Sequence, residues 1–244
     1  MWRLILYRQA MYFGRPMTRI IAWLKSFRPE PVGADPRERL RGSAGALLGL
    51  LVAGLVSRLV LGSMPAALQL LAPMGASAVL LYAVPASPLA QPWSIAGGNL
   101  VSGLVGITCA RLIGDPVLAS ALAVGLSIGA MFGLRCLHPP SGAVALIAVL
   151  GGPAVHTLGY GFLLAPVGLN TLVLTGMALL FNNATGHRYP HRAAKRPAYR
   201  FGLHPEDLDD ILDHHSELLD ISRDDLMALF EEMERRIQDR KVAN

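Results

Sequence analysis

Residues 137–152 read LHPPSGAVALIAVLGG, a histidine, two prolines, a serine and a glycine directly before a short apolar run. Proline suits the first turn of a helix and biases the residue before it away from helix, so a helix is predicted to begin at about Pro140. The first turn of a helix carries amide N–H groups without partners, and the aligned peptide dipoles add about half a positive charge there. Such an end suits an anion. Ser141 adds a hydroxyl donor, Gly142 removes the side chain that would hinder close approach, and Ala143 completes the turn. His138 offers a hydrogen bond, or a proton carried along with the anion. The pattern recurs upstream: Pro73, Met74, Gly75 and Ala76 match Pro140, Ser141, Gly142 and Ala143, with Ser77 following. Asn99 and Asn170, at corresponding places in two further segments, are uncharged donors that complete the predicted shell. Arg135, three residues before His138, is placed to draw anions in, although snorkelling to lipid headgroups is the plainer role for an arginine there.

These residues need a lipid-embedded frame. Of 244 residues, 52% are hydrophobic and 16% charged, against about 25% charged in soluble domains. Between residues 43 and 181 the only charged side chains are Arg58, Arg111, Asp115 and Arg135. Six apolar segments occupy about 44–61, 66–84, 93–113, 116–134, 139–150 and 158–181, several of them near the roughly 20 residues that span a bilayer. The chain is predicted to be an all-α integral membrane protein. Its excess positive charge flanks the apolar block (Arg3, Arg8, Arg15, Arg19, Lys25 and Arg28 before it; Arg188, Arg192, Lys195, Arg196 and Arg200 after it). That marks both flanks as cytoplasmic, as in a bacterial inner membrane, and is not a nucleic-acid footprint. Cys109 and Cys136 fit neither a disulfide framework nor a metal site. No cofactor motif and no catalytic nucleophile–base pair is visible, so no enzyme activity is expected.

Three parts follow: a basic, aromatic interfacial segment at 1–42, a membrane domain at 43–183, and a basic juxtamembrane stretch with a helical cytoplasmic tail at 184–244. The matched P-x-G-A elements divide the membrane domain into two repeats, about 43–113 and 116–183. A repeat with three crossings must be inverted relative to its partner. Two half-length helices then face each other near the midplane; four crossings with two re-entrant hairpins is the alternative topology. Gly45, Gly49 and Ala53, and likewise Gly125, Gly129 and Gly133, recur every four residues, which permits close helix packing. In the tail, Ser222 is the predicted N-cap, with Asp225 three residues on. Leu226, Leu229, Phe230, Met233 and Ile237 form an apolar stripe that needs a partner, a second subunit in a homo-oligomer.

At LHPPSGAVAL the sequence resembles the HPP family of integral membrane proteins. The likeness extends to PMGASAVLLYAVPASPLAQPWSIAGGNLVSGLVG and to the closing FNNATGHRYP, and covers about residues 28–195. The resemblance implies a polytopic membrane protein, and some family members act in nitrite transport. It carries over His138, Pro139, Pro140, Ser141 and Gly142, and Pro73, Met74, Gly75, Ala76 and Ser77. Where many members read Q-P-R-N and G-G-H, this chain has Gln91-Pro92-Trp93-Ser94 and Gly97-Gly98-Asn99. The CBS domains of many bacterial members are not expected after Asn244. The expected function is a secondary transporter or channel for a small inorganic anion, nitrite first. The second reading is a membrane-embedded sensor or scaffold whose tail helix recruits partners.

Overall fold

The computed structural model describes residues 23–25, 27, 35–62, 71–191, 208, 212 and 220–242. The chain divides into two compact units, Met1–Pro36 and Arg37–Asn244. In the first, residues 23–25 are helical and the Trp23 and Phe27 rings meet edge to face at 4.8 Å. Most of the predicted interfacial segment lies outside the described residues, as do 66–70 of the second apolar segment and 192–207 of the juxtamembrane stretch.

Every described element is helical; the main helices are α1 (Pro36–Leu61), α2 (Leu71–Ala83), α3 (Pro92–Leu112), α4 (Pro116–Gly133), α5 (Ser141–Leu150), α6 (Leu169–Ala184) and the tail helix α7 (Arg223–Val242), with short helical turns at Pro88–Ala90, Pro153–His156 and Leu163–Gly168 between them. Proline at the first position starts α1, α3 and α4, where its missing N–H costs nothing. Asp115 caps α4 by accepting from the Leu118 amide at 2.7 Å. Among the described residues, four helices are long and apolar enough to cross a membrane: α1, α3, α4 and α6 with the segment leading into it. α2 and α5 are apolar but short, 13 and 10 described residues. Their ends fix the course of the chain. Arg41, near the start of α1, donates to Tyr82 O near the end of α2 and to Asn182 Oδ1 near the end of α6. Trp93, at the start of α3, donates to Leu134 O just beyond α4. Successive helices therefore alternate in direction, and the 85–91 loop lies on the same side as the start of α1 and the end of α6.

The sixth segment departs from expectation. Its helix is broken at Leu163–Gly168, where Ala165 leaves helical geometry and Pro166 cannot donate. The small-residue stripes also behave differently from each other. Gly45 and Gly49 form a slot for the Tyr82 ring, so close that a Cβ on Gly45 would lie 2.5 Å from Tyr82 Cδ1. Phe181 closes the slot, edge-on to Tyr82 at 5.7 Å. Gly125, Gly129 and Gly133 face outward with open space around them, so the stripe on α4 packs against nothing within the described chain.

A second tight seam joins the two sequence halves. Gly106 of α3 meets Ala145 and Ala148 of α5, with a Cβ there falling 2.6 Å from Ala148 Cβ. Gly98, Ser102 and Gly106, four residues apart, let the two helices approach. Across the molecule, α2 of the first half packs on α6 of the second. The buried Tyr82 hydroxyl has no hydrogen-bond partner among the described residues. An unmet buried hydroxyl costs stability, so Tyr82→Phe is expected to stabilise the fold by about 1 kcal/mol, read as a raised thermal midpoint in detergent.

Candidate functional site

His138, Pro140 and Ser141 of the His-Pro-Pro turn are buried where both halves meet. His138 is fully buried, in the turn between α4 and α5. Its Nδ1 lies 2.8 Å from Leu89 O in the 85–91 loop, and its Nε2 lies 2.8 Å from Ser77 Oγ on α2. A carbonyl only accepts, so Nδ1 carries a proton. Ser77 Oγ also lies 3.1 Å from Pro73 O one turn back. The hydroxyl can therefore serve either state of the ring: it donates to a bare Nε2, or it accepts from a protonated Nε2 and turns its own proton to Pro73 O.

Ser141, the first residue of α5, donates through Oγ to Asn99 Oδ1 at 2.8 Å, and Asn99 Nδ2 donates to Thr171 Oγ1 at 2.9 Å. Asn99 is seven residues into α3, so α5 begins about 10 Å in from the start of α3 and runs about 15 Å. That is half of a roughly 30 Å hydrocarbon core. Gly98 joins the two sets of bonds: a Cβ on it would lie 2.8 Å from Ser141 Oγ and 2.9 Å from His138 Cβ. Apolar packing brackets the cluster, with Met74 and Ala78 beside Ser77 on one side and Val144 and Ala145 after Ser141 on the other. The four charged side chains between residues 43 and 181, Arg58, Arg111, Asp115 and Arg135, are all exposed. Among the described residues no carboxylate enters this core.

Several expectations are corrected. The first-turn amides of α5 are not unpaired: Ser141, Gly142 and Ala143 donate to the carbonyls of His138, Pro139 and Pro140 at 2.9, 3.1 and 3.0 Å. The turn forced by the two prolines is itself tight enough to satisfy them. Pro73, Gly75 and Ala76 stand inside α2, which already runs from Leu71, so they form no helix start among the described residues. Gly75 and Gly142 are only partly buried, and Ala76 is exposed. Asn170 belongs elsewhere. It accepts from Ser57 Oγ at 2.9 Å and donates to Pro166 O at 3.0 Å, mending the break that precedes α6. Its neighbour Thr171 takes the place expected of it. Arg135 is exposed at the end of α4, with φ at 54°, and its backbone turns the chain toward Cys136. Of the predicted shell, the structure brings together Ser77, Asn99, His138 and Ser141.

The closing FNNATGHRYP stretch proves to be a latch. Asn182 accepts from Arg41 and donates to Leu81 O, tying α1, α2 and α6 at one end. Asn183 donates to Tyr189 O, and the Tyr189 hydroxyl donates to Ala90 O at 2.7 Å. The latch holds the same loop whose Leu89 carbonyl fixes His138. From the tail, Asp220 accepts from Ser87 Oγ, and Asp225 pairs with His191, whose amide donates to Gln91 Oε1. Burial raises the Asp225 carboxyl, but the Ser222 hydroxyl and His191 outweigh that and hold it below the usual carboxylate range. His187 pairs with Glu38, at the start of α1.

A lipid-embedded helical bundle in which the histidine of a His-Pro-Pro turn is buried between the halves defines a class of polytopic membrane protein. The family described as "HPP, transmembrane region" matches residues 31–190, and the chain belongs to it. Two proteins of Dictyostelium discoideum, each named a transmembrane protein, are similar. One is 34% identical over 171 residues, covering 68% of this chain and 54% of its own length. The other is 38% identical over 126 residues, covering 50% and 44%. The chain thus spans about half the length of these curated relatives. No solved structure matches.

Proposed function

We propose that the chain is a carrier or channel for a small inorganic anion, nitrite first, working from a cytoplasmic membrane with both flanks of the bundle inside. The observation that carries the reading is the buried cluster of Ser77, Asn99, His138, Ser141 and Thr171, rich in donors and free of carboxylates. In place of main-chain amides, the ligating groups are side chains. The Ser77 and Ser141 hydroxyls, the Asn99 amide and a protonated His138 Nε2 can each turn a proton toward an anion held between the halves. The cross-packing of α2 on α6 and of α3 on α5 supports two inverted repeats related by a two-fold through this cluster.

A negative ion in a core without a fixed positive charge needs a proton, and His138 is the group that can take one beside it. Nitrite uptake by proteoliposomes is therefore expected to accelerate when the outer solution is more acidic than the lumen, and to carry protons with it, read by a trapped pH dye. Uptake indifferent to the gradient would remove His138 from coupling. Absence of flux for nitrite, nitrate and chloride alike would overturn the transport reading. The sensor or scaffold reading is favoured by one feature, the tail helix fastened to the 85–91 loop. Removing residues 201–244 separates the two: a carrier keeps most of its flux, and a scaffold loses its partners.

A further inference from the structure

The tail helix α7 is anchored on one side and open on the next. Its start is capped by Ser222, whose Oγ accepts from the Asp225 amide at 3.1 Å. The contacts of Asp225 with His191 and of Asp220 with Ser87 tether its start, and Met227 is buried on the face toward the chain. Beside that face, Leu229, Met233 and Ile237 are 55%, 57% and 44% exposed. Leu226 and Phe230 are half-buried along the same edge. No water-facing helix leaves such a row open without cost, at about 25 cal/mol per Å² of apolar surface.

Two features of the row say what covers it. Leu226, Phe230, Met233 and Ile237 follow one another at intervals of four, three and four residues, the spacing of a two-helix seam. They are also placed symmetrically about a point between Glu231 and Glu232. Charge then sets the direction. Residues 223–232 hold four carboxylates (Asp224, Asp225, Glu231, Glu232) and one arginine; residues 233–242 hold four cations (Arg235, Arg236, Arg240, Lys241) and two carboxylates. A parallel pair would set like charge on like. An antiparallel pair sets the acidic half of each helix on the basic half of the other; Arg235 and Arg236, each paired with Glu232 of its own helix, remain 65% and 73% exposed to the second copy.

We propose that α7 is a homodimerisation helix, pairing antiparallel with α7 of a second copy of this chain. Leu226 then packs on Ile237 of the second copy, and Phe230 on its Met233. Two copies inserted in the same sense are related by an axis normal to the bilayer, and helices lying across such an axis pair antiparallel. A seam of four residues per helix is short, but confinement of both copies to one membrane raises their effective concentration.

The test uses full-length protein in liposomes, oxidised with copper phenanthroline. Leu226→Cys and Ile237→Cys chains carrying tags of different size are reconstituted separately and as an equal mixture. The unsubstituted chain, whose Cys109 and Cys136 are buried, gives the background. Antiparallel pairing predicts a disulfide-linked dimer of mixed tags in the mixture and only background in either variant alone, since a disulfide needs Cα atoms within about 7 Å. Self-linked Leu226→Cys dimers would overturn the direction of pairing. Background in all three samples would overturn the pairing itself and leave lipid or the chain's own juxtamembrane stretch as the cover. Met233→Glu, which leaves the anchored face untouched, is expected to abolish the mixed dimer and to shift the particle mass in nanodiscs from dimer to monomer. An unchanged mass would also count against the interface.

Discussion

Nitrite flux through His138→Ala protein is expected to fall by about ten- to a hundredfold while the protein remains folded in the membrane. A hydrogen bond to a charged group contributes about 1.5–3 kcal/mol, and each 1.4 kcal/mol is a factor of about ten in affinity. His138 is the only group in the buried cluster that can hold a positive charge, so its loss removes the one charge-assisted bond available to the anion. The same change strips Leu89 O and Ser77 Oγ of a partner. Folding therefore has to be read separately, by the thermal midpoint in detergent. His138→Ala protein of near-parental midpoint and undiminished flux would take the site out of the transport path. A fall in flux that only tracks a fall in folded protein would reduce His138 to a structural post.

Gly98→Ala should damage the same process by a different route. The added Cβ would meet His138 Cβ at 2.9 Å, Ser141 Oγ at 2.8 Å and Cys136 O at 3.0 Å, and a backbone carbonyl does not give way as a flexible side-chain end does. Overpacking of this kind costs about 1–3 kcal/mol. Gly106→Ala provides the contrast. Its Cβ would meet Ala148 Cβ and Ala145 O further along the same seam, so a comparable loss of stability is expected without displacement of the polar cluster. Flux per folded molecule should fall for Gly98→Ala and hold for Gly106→Ala. Gly75→Ala, with nothing within 4 Å of its Cβ, should change neither quantity. Equal flux from the Gly98 and Gly106 variants would separate the geometry of the cluster from transport.

The membrane-embedded helical frame was legible in the sequence because lipid imposes a strong pattern: long apolar runs, charge at the flanks and proline at helix starts. The predicted segment at about 93–113 became α3 at Pro92–Leu112, and that at about 116–134 became α4 at Pro116–Gly133. What escaped was where each polar group turns. Pro139 and Pro140 correctly placed the start of α5, but the main-chain bonds that close so tight a turn do not show in composition, and they consume the amides expected to bind a ligand. Asn170 and Thr171 are adjacent, and only the break at Ala165–Pro166 decides which of them faces Asn99. Gly98, Ser102 and Gly106 carried a readable signal, the same four-residue spacing noted in α1 and α4. The roles of Arg41 and Asn182 carried none, since their contact spans 141 residues of chain.

The core bonds Ser57–Asn170, Ser77–His138, Asn99–Ser141 and Asn99–Thr171 each link an early segment to a late one. Synthesis delivers the early members first. Ser57, Ser77 and Asn99 enter the membrane ahead of their partners, and hydrocarbon itself offers a polar group nothing to bond. A nascent chain released after α4 would leave the Asn99 amide and the Ser57 hydroxyl without their partners in lipid, whereas the Ser77 hydroxyl falls back on Pro73 O one turn away. Completion of the last helix is thus what makes the first one safe to let go.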